Sequence, residues 1–187
     1  MITPLFLGKL RQFRSEERGS VTIETAIIFP AIFMVILALF SAFHTFQVYA
    51  VNQKAAYTIA DMVSRETNPI DVDYLHGTRE LLRYMANANI DDVSVRVTLV
   101  YYDAETNTYA YDWSAQQGNV LAVNSEEVAA WNAYLPKLLD QERIIVVETF
   151  HYFDPPYDTG LLARTISNFT FTKPRYAAQV PWSEPVI

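Results

Sequence analysis

From Thr25 to Phe43 the chain runs for nineteen residues without a Lys, Arg, Asp or Glu, and after Glu24 the next charge is Lys54. A hydrocarbon core of roughly 30 Å needs about 20 predominantly apolar helical residues, so this block predicts a helix able to cross a membrane. The pattern then changes. Between Phe43 and Glu66 there is no Gly or Pro, and Val48, Val51, Ala55, Ile59 and Met62 recur at three- and four-residue steps. Lys54, Asp61 and Arg65 lie mostly off that stripe, which predicts an amphipathic continuation of the same helix. Asn68-Pro69 should end it, because the residue before a proline is pushed out of the α region.

Beyond that point the periodicities are those of a small mixed domain. Tyr74 to Ala88 read as a second helix with Leu75, Leu82 and Met85 inward. Val93, Val95, Val97, Leu99 and Tyr101 alternate with Ser94, Arg96 and Thr98, the period of a half-buried strand. Asp103-Ala104-Glu105-Thr106-Asn107 supplies a turn, and Tyr109, Tyr111 and Trp113 alternate on the return, predicting a hairpin with aromatic cross-strand pairs. Asn124-Ser125-Glu126-Glu127 has the form of a capping box before Val128, Trp131, Leu135 and Leu138, with Pro136 kinking or shortening the helix. Arg143 to Phe153 reads as a central strand, closed by Asp154-Pro155-Pro156, and Asn168 to Lys173 as a fourth. The expected fold is therefore α+β. A long N-terminal helix (residues 20–66) follows a cytoplasmic leader (1–19). It precedes a domain over 67–187, with an antiparallel sheet of about four strands packed by helices and an extended tail from Pro174.

Charge gives the helix a direction. Lys9, Arg11, Arg14 and Arg18 precede the apolar block against Glu16 and Glu17, and no base follows until Lys54. The positive-inside bias puts the N-terminus in the cytoplasm and the domain in the periplasm, with the chain held once in the inner membrane. A buried core helix would carry a polar stripe by this length. A cleaved signal peptide has an apolar core of about 7–15 residues ending at small residues, whereas this run is longer and Phe40-Ser41-Ala42 fits poorly. Net charge is −7, which argues against nucleic acid as a partner. With no cysteine, disulfides, Cys-ligated zinc and thiol catalysis are excluded.

Chemistry is sparse. His44, His76 and His151 lack ligand-like spacing, Asp71-Asp73 and Asp91-Asp92 read as turn and capping residues, and no phosphate loop or Gly-x-Ser-x-Gly elbow occurs. No cofactor, metal site or catalysed reaction is expected. The aromatic stretch Tyr101, Tyr102, Tyr109, Tyr111 and Trp113 reads as sheet packing, with a ligand- or protein-contact face as the other reading.

Glu24 stands out, an acid at the start of an apolar helix. Either it snorkels to the interface and suits the helix dipole, or it meets a cationic partner. The stretch Arg18-Gly19-Ser20-Val21-Thr22-Ile23-Glu24 places a Gly five residues before Glu at a basic-to-apolar junction. It resembles the processing site of type IV pilins and pseudopilins. That resemblance implies a prepilin peptidase cut between Gly19 and Ser20, leaving Glu24 as the fifth mature residue and its carboxylate to meet the α-amine of a neighbour's N-terminus. Glu17-Arg18-Gly19-Ser20 with Glu24, Pro30 early in the helix as a kink, and Lys173-Pro174-Arg175-Tyr176 near the end resemble TadE-like proteins, minor pilin-like components of the tight-adherence (Flp) pilus machinery. Thr25 stands where Flp pilins usually carry an aromatic, which separates the chain from major pilins. The partners so implied are prepilin peptidase, other pilin-like subunits, Tad inner-membrane assembly proteins and lipid. Without the resemblance, a permanently anchored periplasmic binding or sensor module fits the same pattern.

Overall fold

The computed structural model describes residues 18–157 and 160–183. The leader bases Lys9, Arg11 and Arg14, the acids Glu16 and Glu17, and Pro185 of the tail lie outside the described residues. Two compact units are formed, the described part of Met1–His44 with Pro156–Leu161, and that of Thr45–Pro155 with Leu162–Ile187.

The first element, α1 (Arg18–Ser64), is one helix of 47 residues, unbroken through Pro30. It is followed by α2 (Val72–Ala86), capped at its start by the Asp71 carboxylate, which accepts from the Tyr74 N–H. Asp71 is thus the capping residue expected, and Asp91 and Asp92 fall in a 3-10 turn, Ile90–Asp92. Strands β1 (Val93–Asp103), β2 (Thr108–Gln117), β3 (Arg143–Phe153) and β4 (Arg164–Thr172) make one antiparallel sheet in the order β2-β1-β3-β4. The α+β architecture, the four strands and the central place of β3 agree with the sequence reading.

One face of the sheet is covered by helices. Val93, Val95, Val97 and Leu99 of β1 and Ile145 and Val147 of β3 form a core with Ala55, Ile59 and Val63 of α1 and Leu75 and Leu82 of α2. Each such fully buried aliphatic side chain contributes about 1.5–3 kcal/mol. The buried side of α1 keeps Val48, Ala55 and Ile59 of the expected stripe and adds Asn52, Ala56, Ala60 and Val63, while Val51 is half-buried and Met62 is 38% exposed. Three alanines let the helix axis approach the strands, which centres the contact on the alanine side and turns Met62 outward.

The other face was expected to be solvated, and it is not. Ser94, Arg96, Thr98 and Val100 of β1 are as buried as their alternates. Val100, Tyr102, Ile144 and Val146 pack under Val123, Val128, Trp131 and Leu135. Those four come from the connection between β2 and β3, which includes α3 (Ser125–Ala130) and a 3-10 turn (Trp131–Ala133) that ends before Pro136. Asn124 caps α3 by accepting from the Glu127 N–H. The reciprocal half of the expected capping box is replaced, because the Glu127 carboxylate accepts from Arg96 instead.

Arg96 explains how a charge is tolerated there. Its Nε and Nη2 donate to the two oxygens of Glu148 at 2.6 and 2.9 Å, and Nη1 donates to the Leu121 carbonyl at 3.0 Å. Burial alone would lower the Arg96 pKa; the Glu148 and Glu127 hydrogen bonds outweigh it and hold the guanidinium above its ordinary value. Replacing Arg96 by Met leaves Glu148 buried without its cation, and the expected loss is about 3–5 kcal/mol. Urea unfolding of the detergent-solubilised full chain checks this, and a double variant, Arg96→Met with Glu148→Leu, should regain most of the loss.

Candidate functional site

The first half of α1 is apolar on every side. Val21, Ile23, Ile27, Phe29, Ile32, Phe33, Leu39 and Phe43 are each at least half exposed, and almost none of the most apolar stretch is buried by the chain itself. Within Val21–Ser64 it is long and apolar enough to cross a membrane. A helix hydrophobic all round is covered by lipid or by other helices.

Gly19 and Ser20 lie in the first turn of α1, and Glu24 is exposed, a single turn further on. Ser20 and Glu24 are four residues apart, so their Cα atoms differ by about 6 Å along the axis. Helical Cα–Cβ bonds tilt toward the N-terminus, which leans the Glu24 carboxylate toward the turn that holds Ser20. Thr25 adds a local bond, its hydroxyl donating to the Val21 carbonyl at 2.7 Å. Pro30 sits one and a half turns beyond Glu24 and has no N–H to give the Ala26 carbonyl. Gly19, Ser20, Glu24 and Pro30 thus share one continuous helical run.

Sequence reasoning did not find the polar contact where α1 meets the sheet. Asn52, fully buried, donates from Nδ2 to the Val48 carbonyl at 2.8 Å and lies 2.9 Å from Nδ1 of His151 on β3. Nδ1 accepts there, which assigns the imidazole its Nε2–H tautomer, while Asn52 Oδ1 is buried with no hydrogen-bond partner. Burial lowers the His151 pKa, and Asp92 opposes it weakly. Asn52 sits on the helical stripe between Val48 and Ala56, a position that could have been recognised by spacing.

The other candidates resolve into structure. The aromatic stretch is divided by an irregularity in the β1–β2 register between Leu99 and Val100. Tyr109 therefore stacks edge-on with Tyr102 on one face, while Trp113 reaches Trp182 and donates to the Val180 carbonyl on the other. The Pro-Arg ending has a local role: the Arg175 N–H donates to Ser64 O at 2.8 Å, and its guanidinium reaches Asp61 at 3.1 Å. These bonds satisfy the C-terminal end of α1 at Ser64, short of the Asn68-Pro69 stop expected. Among the described residues no cluster of His, Asp or Glu could hold a metal ion.

A family model described as TadE-like protein matches residues 19–61. The match begins at Gly19 and takes in Ser20, Glu24, Pro30 and Asn52, in agreement with the resemblance read from the sequence. No curated protein and no solved structure matches the chain.

The buried imidazole gives a pH prediction. Because the fold favours neutral His151, the unfolded chain takes up its proton first as pH falls. Stability is full above the ordinary value of 6.5 and is lost as pH drops from there toward the lowered folded value. The thermal midpoint of the detergent-solubilised full chain should fall over that window, and His151→Gln should flatten the dependence.

Proposed function

We propose that the chain is a structural, minor pilin-like subunit of a Tad/Flp type IV pilus assembly or secretion system, processed by prepilin peptidase. The family match over residues 19–61 carries this reading, since it starts at the glycine after which the cut would fall. The helix supports it on physical grounds. It exposes an apolar surface along its whole first half, and Glu24 is its only acid before Asp61.

In this reading the subunit catalyses nothing and is itself the peptidase substrate. Before cleavage the helix holds the domain to the inner membrane, with the domain on the periplasmic side. Cleavage between Gly19 and Ser20 removes four basic and two acidic residues, moving net charge from −7 to −9, and creates an α-amine on Ser20. That amine, on this or a neighbouring subunit, is the cation that a carboxylate at membrane depth requires. The pair would set the register between helices, whose apolar faces then cover one another in an assembly with other pilin-like subunits and Tad inner-membrane proteins. Pro30, without an N–H, is where the helix can bend to accommodate a neighbour.

Intact mass and N-terminal sequencing of the membrane-extracted protein test the reading. With the peptidase present the mature chain should begin at Ser20; without it, at Met1. A chain uncut in both hosts shifts the weight to a permanently anchored periplasmic module. Separately, Glu24→Ala should abolish piliation while leaving the domain's unfolding midpoint unchanged, and normal piliation would remove the pairing role.

A further inference from the structure

The two edges of the sheet are not alike. At one, β2 inserts Asp112 between Trp113, which pairs with Leu99, and Tyr111, which pairs with Val100, so a bulge and a charge interrupt it. At the other, β4 pairs with β3 in unbroken register from Arg164 to Thr172, and its outer side carries no strand among the described residues. From Thr165 to Thr172 it holds no proline, glycine or charge. Bulges, prolines and charges keep open edges from pairing with other chains, and β4 has none of them across that span.

The side chains of β4 divide by face. Ile166 and Thr170 are buried on the helix-covered side, Ile166 beside Val48 and Phe153. Phe169 and Phe171 stand opposite Glu148 and Val146, on the other side, and remain 38% and 43% exposed. The Tyr134 ring lies 6.2 Å from that of Phe169 and is itself 71% exposed, which extends the apolar strip beyond the strand. Arg164, at the start of β4, is exposed, lies over the Tyr49 ring at 5.6 Å and has no carboxylate partner among the described residues.

We propose that β4 is a docking edge for an extended segment of a different polypeptide, which adds beside it as a further strand and sets an acidic residue against Arg164. The open row of backbone N–H and C=O groups specifies the extended form, because a strand is what satisfies such a row along its length. Alternate side chains of the added strand would cover Phe169, Phe171 and Tyr134. Charge decides against a second copy of this chain. Two copies of β4 paired antiparallel about Asn168 would set Arg164 of each opposite Thr172 and beside Lys173 of the other, at both ends of the ladder. A strand that is uncharged along its middle and acidic where it meets Arg164 faces no such repulsion. The inference is independent of what covers the first half of α1.

The test titrates the detergent-solubilised full chain into a fluorescent peptide of alternating threonine and valine, as long as β4, with aspartate at each end. Anisotropy reports binding. Two control peptides accompany it, one N-methylated throughout and one with lysine in place of each aspartate. The aspartate peptide should bind saturably, and the N-methylated one at least about tenfold more weakly, because it has lost its backbone donors. Arg164→Glu, at an exposed position, should weaken the aspartate peptide several-fold and strengthen the lysine peptide, with the unfolding midpoint of the chain unchanged. Equal binding of the N-methylated peptide overturns strand addition in favour of apolar adhesion. Indifference to the charge exchange overturns the acidic partner. No saturable binding up to millimolar peptide overturns the docking edge, and self-association that Arg164→Glu strengthens overturns the choice of a different chain in favour of a second copy.

Discussion

Fourteen large apolar side chains between Val21 and Phe46 are exposed on α1, each by 46% or more among the described residues. At about 1.5–3 kcal/mol for each, leaving them in water forgoes on the order of 20 kcal/mol. That exceeds the roughly 5–15 kcal/mol by which a whole domain is stable. The first half of the helix is therefore suited to a lipid bilayer or to the company of other helices. The second half faces the opposite demand, since it must present one buried stripe to the sheet and polar residues elsewhere. A single helix answers both by changing from uniform to amphipathic patterning near residue 45.

The sheet domain is built so that its central strands are enclosed on both faces. Helices α1 and α2 cover one side, and the connection between β2 and β3 covers the other. That second cover is short and weakly helical, so it depends on anchors: Trp131 against Phe169, and Arg96 tied at once to Glu148 on β3 and Glu127 on α3. Arg96 links strand to strand and strand to cover through one side chain. Fixing the guanidinium in this geometry also leaves no freedom in the register between β1 and β3, where Arg96 stands directly opposite Glu148.

What could be seen in the sequence was whatever depends on near neighbours. The apolar block, the Asp71 cap, the β1–β2 hairpin with its Tyr102–Tyr109 pair, and the Gly19-to-Glu24 spacing are all local patterns. The features that escaped depend on residues far apart. Arg96 and Glu148 are separated by 52 positions and Asn52 and His151 by 99, and no periodicity marks either pair. Strand β1 looked half-solvated because Ser94, Arg96 and Thr98 are polar, and only the cover supplied by residues 121–138 reverses that. Met62 fitted the helical stripe arithmetically, yet the alanines at 55, 56 and 60 decide which side the sheet approaches. The irregular register in the hairpin divides aromatics that simple alternation places on one face.

The strap near the C-terminus has a further consequence. Val180 is fully buried in the main core, the Ile70 N–H donates to Pro181 O, the Ser183 N–H donates back to Ile70 O, and Arg175 closes the end of α1. The segment that completes the core is thus the one synthesised after all four strands. Until residues 175–183 have been synthesised, α1 and the segment at Ile70 lack their closing partners. Completion of the core is thereby coupled to a segment made after every strand, so the sheet can pair in the growing polypeptide before Val180 is there to fill its place.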